Sequence, residues 1–187
     1  MANSALLVMD VQRDIVAVAD DGSGYLPRLR KAIDGARAAG IPVIYVAIGL
    51  RPDHPDVSTR NKVLTTAVRA GLFTEGAPGT EIHQDVAPQQ GDIVVTKRRG
   101  SAFSGSDLDV VLRARDIDSL VLSGIATSGV VLHTLCHAND RDFGLTVLVD
   151  ACLDTDPEVH RILTEKLFPQ WADVVAVEDW LKAIARQ

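Results

Sequence analysis

Three segments of the sequence carry residues whose types and positions suit acid–base chemistry. Asp10 and Lys97 each close an apolar run of strand length, and Gly124–Val130 follows a third such run. The carboxyl ends of parallel strands share one edge of a sheet, and ligands bind at that edge. A carboxylate and an ammonium would there face the free N–H groups of a strand-to-helix turn, which suit a developing negative charge. An acid or a lysine alone at a strand end is more often a solvated cap, so the prediction rests on the three segments together.

The elements that would position these residues follow from the hydrophobic pattern. Apolar runs predict six strands, at residues 5–10, 43–48, 92–97, 120–122, 145–150 and 173–177. Helical spacing predicts helices near residues 26–36, 59–70, 106–115, 130–138 and 157–168 and at the C-terminus, with 12–14 in a loop. Alternating strands and helices predict one α/β domain over residues 1–187. It would be a three-layer sandwich, a mostly parallel six-stranded sheet with helices on both faces.

The turn after the fourth predicted strand receives the most specific expectations. Gly124 is expected to end that strand, and the segment Thr127–Gly129 to cap the following helix. Val131, Leu135 and Ala138 recur at helical spacing, so one face of that helix is expected to be buried.

Composition excludes several classes of function. The chain has 187 residues, 47% of them hydrophobic and 24% charged, with a formal net charge of −6. This acidity argues against nucleic-acid binding, and the apolar runs are too short for a transmembrane helix. The N-terminus leads directly into a strand, which predicts no signal peptide. Two cysteines, Cys136 and Cys152, predict a reducing, cytoplasmic location, and both are expected to be structural packing residues.

Three motifs resemble those of the isochorismatase-like (cysteine hydrolase) superfamily. They are Asp-Val-Gln-Arg-Asp at 10–14, Lys-Arg-Arg-Gly-Ser-Ala-Phe-Ser-Gly-Ser-Asp-Leu at 97–108 and Gly-Ile-Ala-Thr-Ser-Gly at 124–129. The resemblance implies a six-stranded parallel sheet flanked by helices, and hydrolysis of a small molecule without a cofactor. Its amide hydrolases use an Asp, a Lys and a Cys, of which the first two correspond to Asp10 and Lys97. It further implies an oxyanion hole from the Ala126 and Val130 N–H groups, with a cis Ile125–Ala126 peptide. The implied oxyanion and substrate-binding residues are Gln12, Phe103, Ile125, Ala126, Thr127 and Gly129.

The family's nucleophilic cysteine is absent from this sequence. Its position, three residues after Thr127, holds Val130, and the downstream Asp150–Ala151 pair keeps the family's spacing from it. Valine cannot attack a carbonyl, so the usual thioester cannot form. A branched apolar residue would also dry the site and raise the pKa of a nearby carboxyl group, while Lys97 would oppose that shift.

Two interpretations of function remain open from the sequence. The first is a hydrolase of an amide, ester or enol ether that works through Asp10 and Lys97 without a covalent intermediate. The second is a catalytically inactive member that binds a small ligand or serves in assembly, for which the bulky Val130 argues. For the first interpretation Asp10, Lys97 and Val130 must converge on one pocket.

Other candidate residues rank below these. Asp53-His54 with His83 only partly resembles the metal site of nicotinamidases, and His133 with His137 lacks a third ligand, so no metal is expected. Ser128 is expected to be a helix cap rather than a nucleophile, and Phe103 suits either the pocket border or the core. The family resemblance implies a homo-oligomer, dimer or tetramer. The irregular segment Arg51–Arg69 is expected near the interface or over the pocket.

Overall fold

A computed structural model describes residues 3–20, 22 and 24–186 of the chain. Its centre is a six-stranded sheet in the order β3-β2-β1-β4-β5-β6, in which every neighbouring pair is parallel. The strands are β1 (Ser4–Met9), β2 (Val43–Ile48), β3 (Ile93–Lys97), β4 (Ser119–Ile125), β5 (Gly144–Leu153) and β6 (Asp173–Val175). The predicted fold class is confirmed, and the strand order reverses at β1, which pairs with both β2 and β4.

Helices connect successive strands and cover both faces of the sheet. They are α1 (Arg13–Ala19), α2 (Tyr25–Ala38), α3 (Lys62–Arg69), α4 (Leu108–Ala114), α5 (Leu132–Asn139), α6 (Pro157–Ile162) and α7 (Val177–Ile184). π-Helical turns at Thr127–Val131 and Leu163–Leu167 adjoin α5 and α6, and 3₁₀ turns occupy Pro78–Thr80, Gln84–Val86 and Phe168–Gln170. Capping fixes two of the starts: the Asn61 side chain accepts from the Leu64 N–H, and Asp156 accepts from the Glu158 and Val159 N–H groups.

Alternation of side chains along the strands divides the core in two. Leu7 and Met9 point to the face covered by α4 and α5, whereas Leu6 and Val8 point to the face covered by α2 and α7. Residues 5–9 of β1 are continuously apolar, as the pattern predicted, because the strand is buried on both faces. The predicted apolar face of α5 is confirmed, since Val131, Leu135 and Ala138 are completely buried.

Gly124 does not end β4, which corrects the sequence prediction. The strand continues to Ile125, with a register shift against β5 between Leu122 and Gly124. Gly124 has φ +144°, and a Cβ at this position would overlap the Met9 carbonyl oxygen. Only glycine therefore lets β4 pass so close to β1 at the point where the strand order reverses.

Other boundaries also differ from the expectations. Residues 13 and 14 are not in a loop but open the helix α1. Strand β5 continues past Asp150 to Leu153, and the Asp150 carboxylate accepts a hydrogen bond from the Val177 N–H (2.8 Å), which satisfies it within the fold. None of the described helices is both long and apolar enough to cross a membrane.

Candidate active site

Asp10 and Lys97 meet at the carboxyl edge of the sheet although they belong to different strands. Asp10 follows β1 and Lys97 ends β3, with β2 lying between them. Two strand spacings amount to roughly 10 Å, a gap that a long lysine side chain can cross. The Lys97 Nζ lies 2.9 Å from Asp10 Oδ2 and donates a second hydrogen bond to the Arg99 carbonyl at 2.8 Å.

This ion pair is buried. The side chains of Lys97 and Asp10 are 1% and 9% exposed, so removing either partner would leave an uncompensated charge in the interior. Asp10 Oδ1 is also buried and has no hydrogen-bond partner among the described residues. One carboxylate oxygen is thus held by lysine while the other stays free of protein partners, as a proton acceptor or donor requires.

Burial determines the protonation behaviour of Asp10. Loss of hydration raises the pKa of Asp10 above its ordinary value, and the Lys97 ammonium and the Ile48 N–H only partly oppose the rise. A carboxylate with a raised pKa is a stronger base than an ordinary aspartate. The backbone of Asp10 is left-handed (φ 56°), a conformation that aspartate tolerates better than most residues and that is often found at functional sites.

The backbone turn after β4 faces the same edge. The Ile125–Ala126 peptide is cis, as the family resemblance implied. The Ala126 carbonyl accepts hydrogen bonds from the N–H groups of Gly129 (3.0 Å) and Val131 (3.3 Å), which folds the chain back sharply. The Ala126 N–H has no hydrogen-bond partner among the described residues, so this donor remains available.

The predicted capping by Thr127 and Ser128 is wrong. Ala126 is the N-cap of the turn and makes no side-chain capping bond. Instead the Ser128 N–H donates to Asp154 Oδ2 (2.7 Å), and the Thr127 hydroxyl pairs with His160 Nδ1 (2.8 Å). A carboxylate from another element thus satisfies the N–H that a local hydroxyl was expected to cap.

Asp154 and His160 are residues that the sequence reasoning missed. Asp154 directly follows β5, as Asp10 follows β1, and its second oxygen accepts from the Asp156 N–H (3.2 Å) at the start of α6. An acid at a strand end was the available signal. The predicted strand 145–150 ends at Asp150, so Asp154 fell outside the predicted sheet edge.

A cavity of about 520 Å³ opens beside these groups, a size typical of small-molecule sites. Asp10, Lys97 and Val130 all line it, as do Ile125, Ala126 and Gly129. The structure thus brings together six of the residues predicted for the site. From the segment 51–69, Asn61, Val63 and Leu64 line the cavity as well, which places part of that segment over the pocket.

The other three predicted site residues have their side chains elsewhere. The Gln12 amide bonds to the N–H and carbonyl of Ile48 and to the Thr80 carbonyl, and so ties loops together. Phe103 packs beside His137 and Phe143, and Thr127 is completely buried against His160. None of the three is among the residues that line the cavity.

No cysteine is among the described residues that line the cavity. Cys136 is exposed, which corrects its predicted packing role, and partial desolvation together with the nearby Asp140 carboxylate raises the pKa of its thiol. Cys152 is buried as predicted, and desolvation raises its pKa to about 12. A thiol of such high pKa is almost entirely protonated at neutral pH and is a poor nucleophile.

Among the described residues, no group of three or more His, Cys, Asp or Glu side chains could hold a metal ion. His54 instead bonds the Thr74 hydroxyl (3.0 Å). His133 is exposed, lines the cavity and bonds the Gly129 carbonyl (2.7 Å), whereas the half-buried His137 bonds Ser101 (3.1 Å).

Comparisons with known proteins identify the family of the chain. The Isochorismatase domain family matches residues 4–179 of the chain. A ureidoacrylate amidohydrolase of Methylobacterium radiotolerans is 31% identical over 211 residues, covering 99% of this chain and 82% of that relative.

Solved structures share the fold over nearly the whole chain. A cysteine hydrolase from Pseudomonas syringae pv. phaseolicola is 26% identical with a TM-score of 0.90, covering 98% of this chain and 93% of that one. An N-carbamoylsarcosine amidase from Thermoplasma acidophilum is 28% identical with a TM-score of 0.75, covering 95% and 98%. Sequence match and fold together show that the chain belongs to the isochorismatase family of hydrolases.

Proposed function

We propose that this hydrolase acts on an amide, ester or enol ether of a small molecule without a covalent enzyme intermediate. The observation that carries the proposal is the buried Asp10–Lys97 pair, which lines a cavity together with Val130. The family resemblance implies that Val130 stands where related amide hydrolases have their nucleophilic cysteine. Lacking a cysteine in its described wall, the cavity offers an acid–base pair but no thiolate.

For an amide or ester, Asp10 acts as a general base toward a water molecule. The carboxylate removes a proton while the water oxygen bonds to the substrate carbonyl carbon, and the carbonyl oxygen becomes an oxyanion. The N–H groups of Ala126 and Val130 stabilise that charge. When the intermediate collapses, the bond to the leaving nitrogen or oxygen breaks and Asp10 returns the proton to it. Lys97 keeps Asp10 oriented and favours its ionised form before the proton transfer.

A screen of amides, esters and enol ethers tests this proposal, with Asp10→Asn as the control protein. The screen includes the ureido and carbamoyl amides suggested by the names of the two amidase relatives. We expect turnover by the native chain and at least a hundredfold loss in Asp10→Asn, the magnitude typical of a general base. Because Asp10→Asn leaves Lys97 unpaired, the double variant Asp10→Asn/Lys97→Met checks that inactivity does not come from misfolding.

A non-catalytic ligand-binding or assembly role is the second candidate, and the burial of Val130 (3% exposed) in the cavity wall favours it. In that case native chain and Asp10→Asn would be equally inactive yet bind the same ligand. Retention of the complete Asp10–Lys97 pair favours the hydrolase.

We also propose that the protein is a cytoplasmic homo-oligomer, a dimer or tetramer, that binds neither nucleic acid nor membranes. The proposal rests on a net charge of −6 and only two cysteines, and on the association that the family resemblance implies.

A further inference from the structure

No lysine or arginine among the described lining residues of the cavity is free to bind an anionic substrate. Its described charged or titratable lining residues are Asp10, Asp14, Lys97 and His133, and no arginine is among them. Lys97 is already engaged by Asp10 Oδ2 and the Arg99 carbonyl. A carboxylate on the substrate would therefore meet two acids and no uncommitted lysine or arginine.

Asp14 adds to this bias because no described residue neutralises its charge. It lies in the first turn of α1, and its carboxylate makes no hydrogen bond or ion pair with any described residue. The Asp14 carboxylate fits where it lies because residue 79 is glycine; a Cβ on Gly79 would overlap that carboxylate. Together with the buried, unpartnered Asp10 Oδ1, this places two acceptor groups in the cavity.

Apolar side chains form most of the remaining wall. Among the lining residues are Ile15, Val18, Val63, Leu64, Leu72 and Phe73. Val18 on α1 and Val63 on α3 are each 74% exposed, although valine gains by burial. An apolar ligand reaching from Asp10 to these two residues would cover them.

We infer that the substrate is an uncharged amide or ester with a bulky apolar group and without a carboxylate. Its carbonyl group lies between Asp10 and the Ala126–Val130 turn, and its apolar group lies against α1 and α3. Calling this ligand a substrate rests on the proposed hydrolase function. The selectivity of the cavity for the ligand can be measured without turnover.

Binding of two inert ketones isolates that selectivity. Butyrophenone is uncharged, and β-benzoylpropionate has the same chain length but ends in a carboxylate. We expect the native protein to bind butyrophenone at least about tenfold more tightly in calorimetric titrations at neutral pH, since like charges in a desolvated site disfavour the anion. Equal or tighter binding of β-benzoylpropionate, or no binding of either ketone, would overturn the inference.

A matched pair of variants locates the effect. Val63→Lys places an ammonium at the cavity mouth and should raise the affinity for β-benzoylpropionate relative to butyrophenone. Val110→Lys is the control, because Val110 is similarly exposed (68%) on α4 but does not line the cavity. Val110→Lys should leave the ratio of affinities unchanged, and an equal response from both variants would also overturn the inference.

Turnover separates this inference from the proposed function. The uncharged p-nitrophenyl hexanoate and the carboxylate-bearing p-nitrophenyl adipate have equal chain lengths, and we expect kcat/KM to favour hexanoate by about the same tenfold. Selective ketone binding without hydrolysis of any ester or amide would refute the hydrolase and leave the ligand class standing. Hydrolysis that favours adipate would refute the ligand class and leave the hydrolase standing.

Discussion

Val130 is the residue on which the assignment of mechanism depends. It lies in the first turn after the cis Ile125–Ala126 peptide and lines the cavity with Asp10 and Lys97. A thiol at this position would experience the positive end of a helical turn and the Lys97 ammonium, both of which favour the thiolate.

We therefore expect Val130→Cys to be alkylated by iodoacetamide near neutral pH much faster than Cys136 or Cys152. The pKa of both native thiols is raised, by full burial at Cys152 and by partial desolvation and Asp140 at the exposed Cys136, so they react slowly. The substitution removes about one methyl group and should cost about 1 kcal/mol of stability. Mass-spectrometric mapping of the native-state protein measures the three rates. Labelling at residue 130 no faster than at the native cysteines would show that the turn does not activate a thiol.

Asp10 should set the acid limb of the pH profile. Its ordinary pKa is 3.8, and burial raises the pKa in the folded protein. A general base must be ionised, so kcat/KM should fall on acidification at a pH above 3.8. Replacing Lys97 by Met removes the charge that opposes the rise, so the limb should move to still higher pH. An acid limb at the same pH in Lys97→Met would show that this ion pair does not set it.

At the scale of elements, two contacts from the β5–α6 segment fix the turn after β4. Asp154 bridges the Ser128 and Asp156 N–H groups, and His160 holds the Thr127 hydroxyl. These contacts position the backbone N–H groups at the site, although Asp154 itself does not line the cavity.

Loss of the Asp154 carboxylate should disturb that positioning. We expect Asp154→Ala to lower kcat by about tenfold to a hundredfold with KM little changed, because small misplacements of reacting groups carry large penalties. The free energy of unfolding should fall by about 1–3 kcal/mol. Asp154→Asn keeps an acceptor oxygen and should recover most of both quantities. Steady-state kinetics with urea unfolding distinguish this from a purely structural role, in which stability falls but kcat does not.

Gly124 should be the least replaceable glycine near the site. We expect Gly124→Ala to cost about 3–4 kcal/mol or more, because its Cβ would overlap the Met9 carbonyl and its φ of +144° is reserved for glycine. Gly71→Ala is the matched control: its φ is +72°, but the space beside it is open, so only about 1–2 kcal/mol should be lost. Similar losses in urea unfolding would show that β1 and β4 can separate.

The sequence predicted elements wherever one pattern dominated. Residues 43–48 were predicted to be a strand and form one, because uninterrupted apolar residues permit few alternatives. Asp10 and Lys97 were found for a related reason, since a charge after such a run is conspicuous. Gln12, Phe103 and Thr127 could not be placed outside the cavity from sequence, because their partners Ile48, His137 and His160 come from distant segments. Hydrogen bonds between such segments leave no periodic signal.

At the scale of the whole molecule, the site belongs to the reversal of strand order at β1. Strand β4, next to β1, brings its following turn to one side of Asp10, and β3, beyond β2, brings Lys97 from the other. Parallel sheets of this order open a crevice at that point, so the fold itself provides the cavity.

We expect the native chain to be a dimer or tetramer in solution. Val94 and Val110 are more than half exposed in the single chain and do not line the cavity, and association would cover such groups. Light scattering across a range of concentrations measures the mass. A strict monomer at high concentration would contradict this expectation, though not the mechanism within one chain.

The central claim, hydrolysis without an acylated enzyme, is tested most directly by intact-protein mass spectrometry of acid-quenched reactions during turnover. Val130→Cys is the positive control, because a cysteine at that position should accumulate a thioester with an activated ester. The native chain should show only its unmodified mass under the same conditions. An added mass equal to the acyl group, mapped to Ser128, Thr155 or another residue of the native chain, would contradict the account.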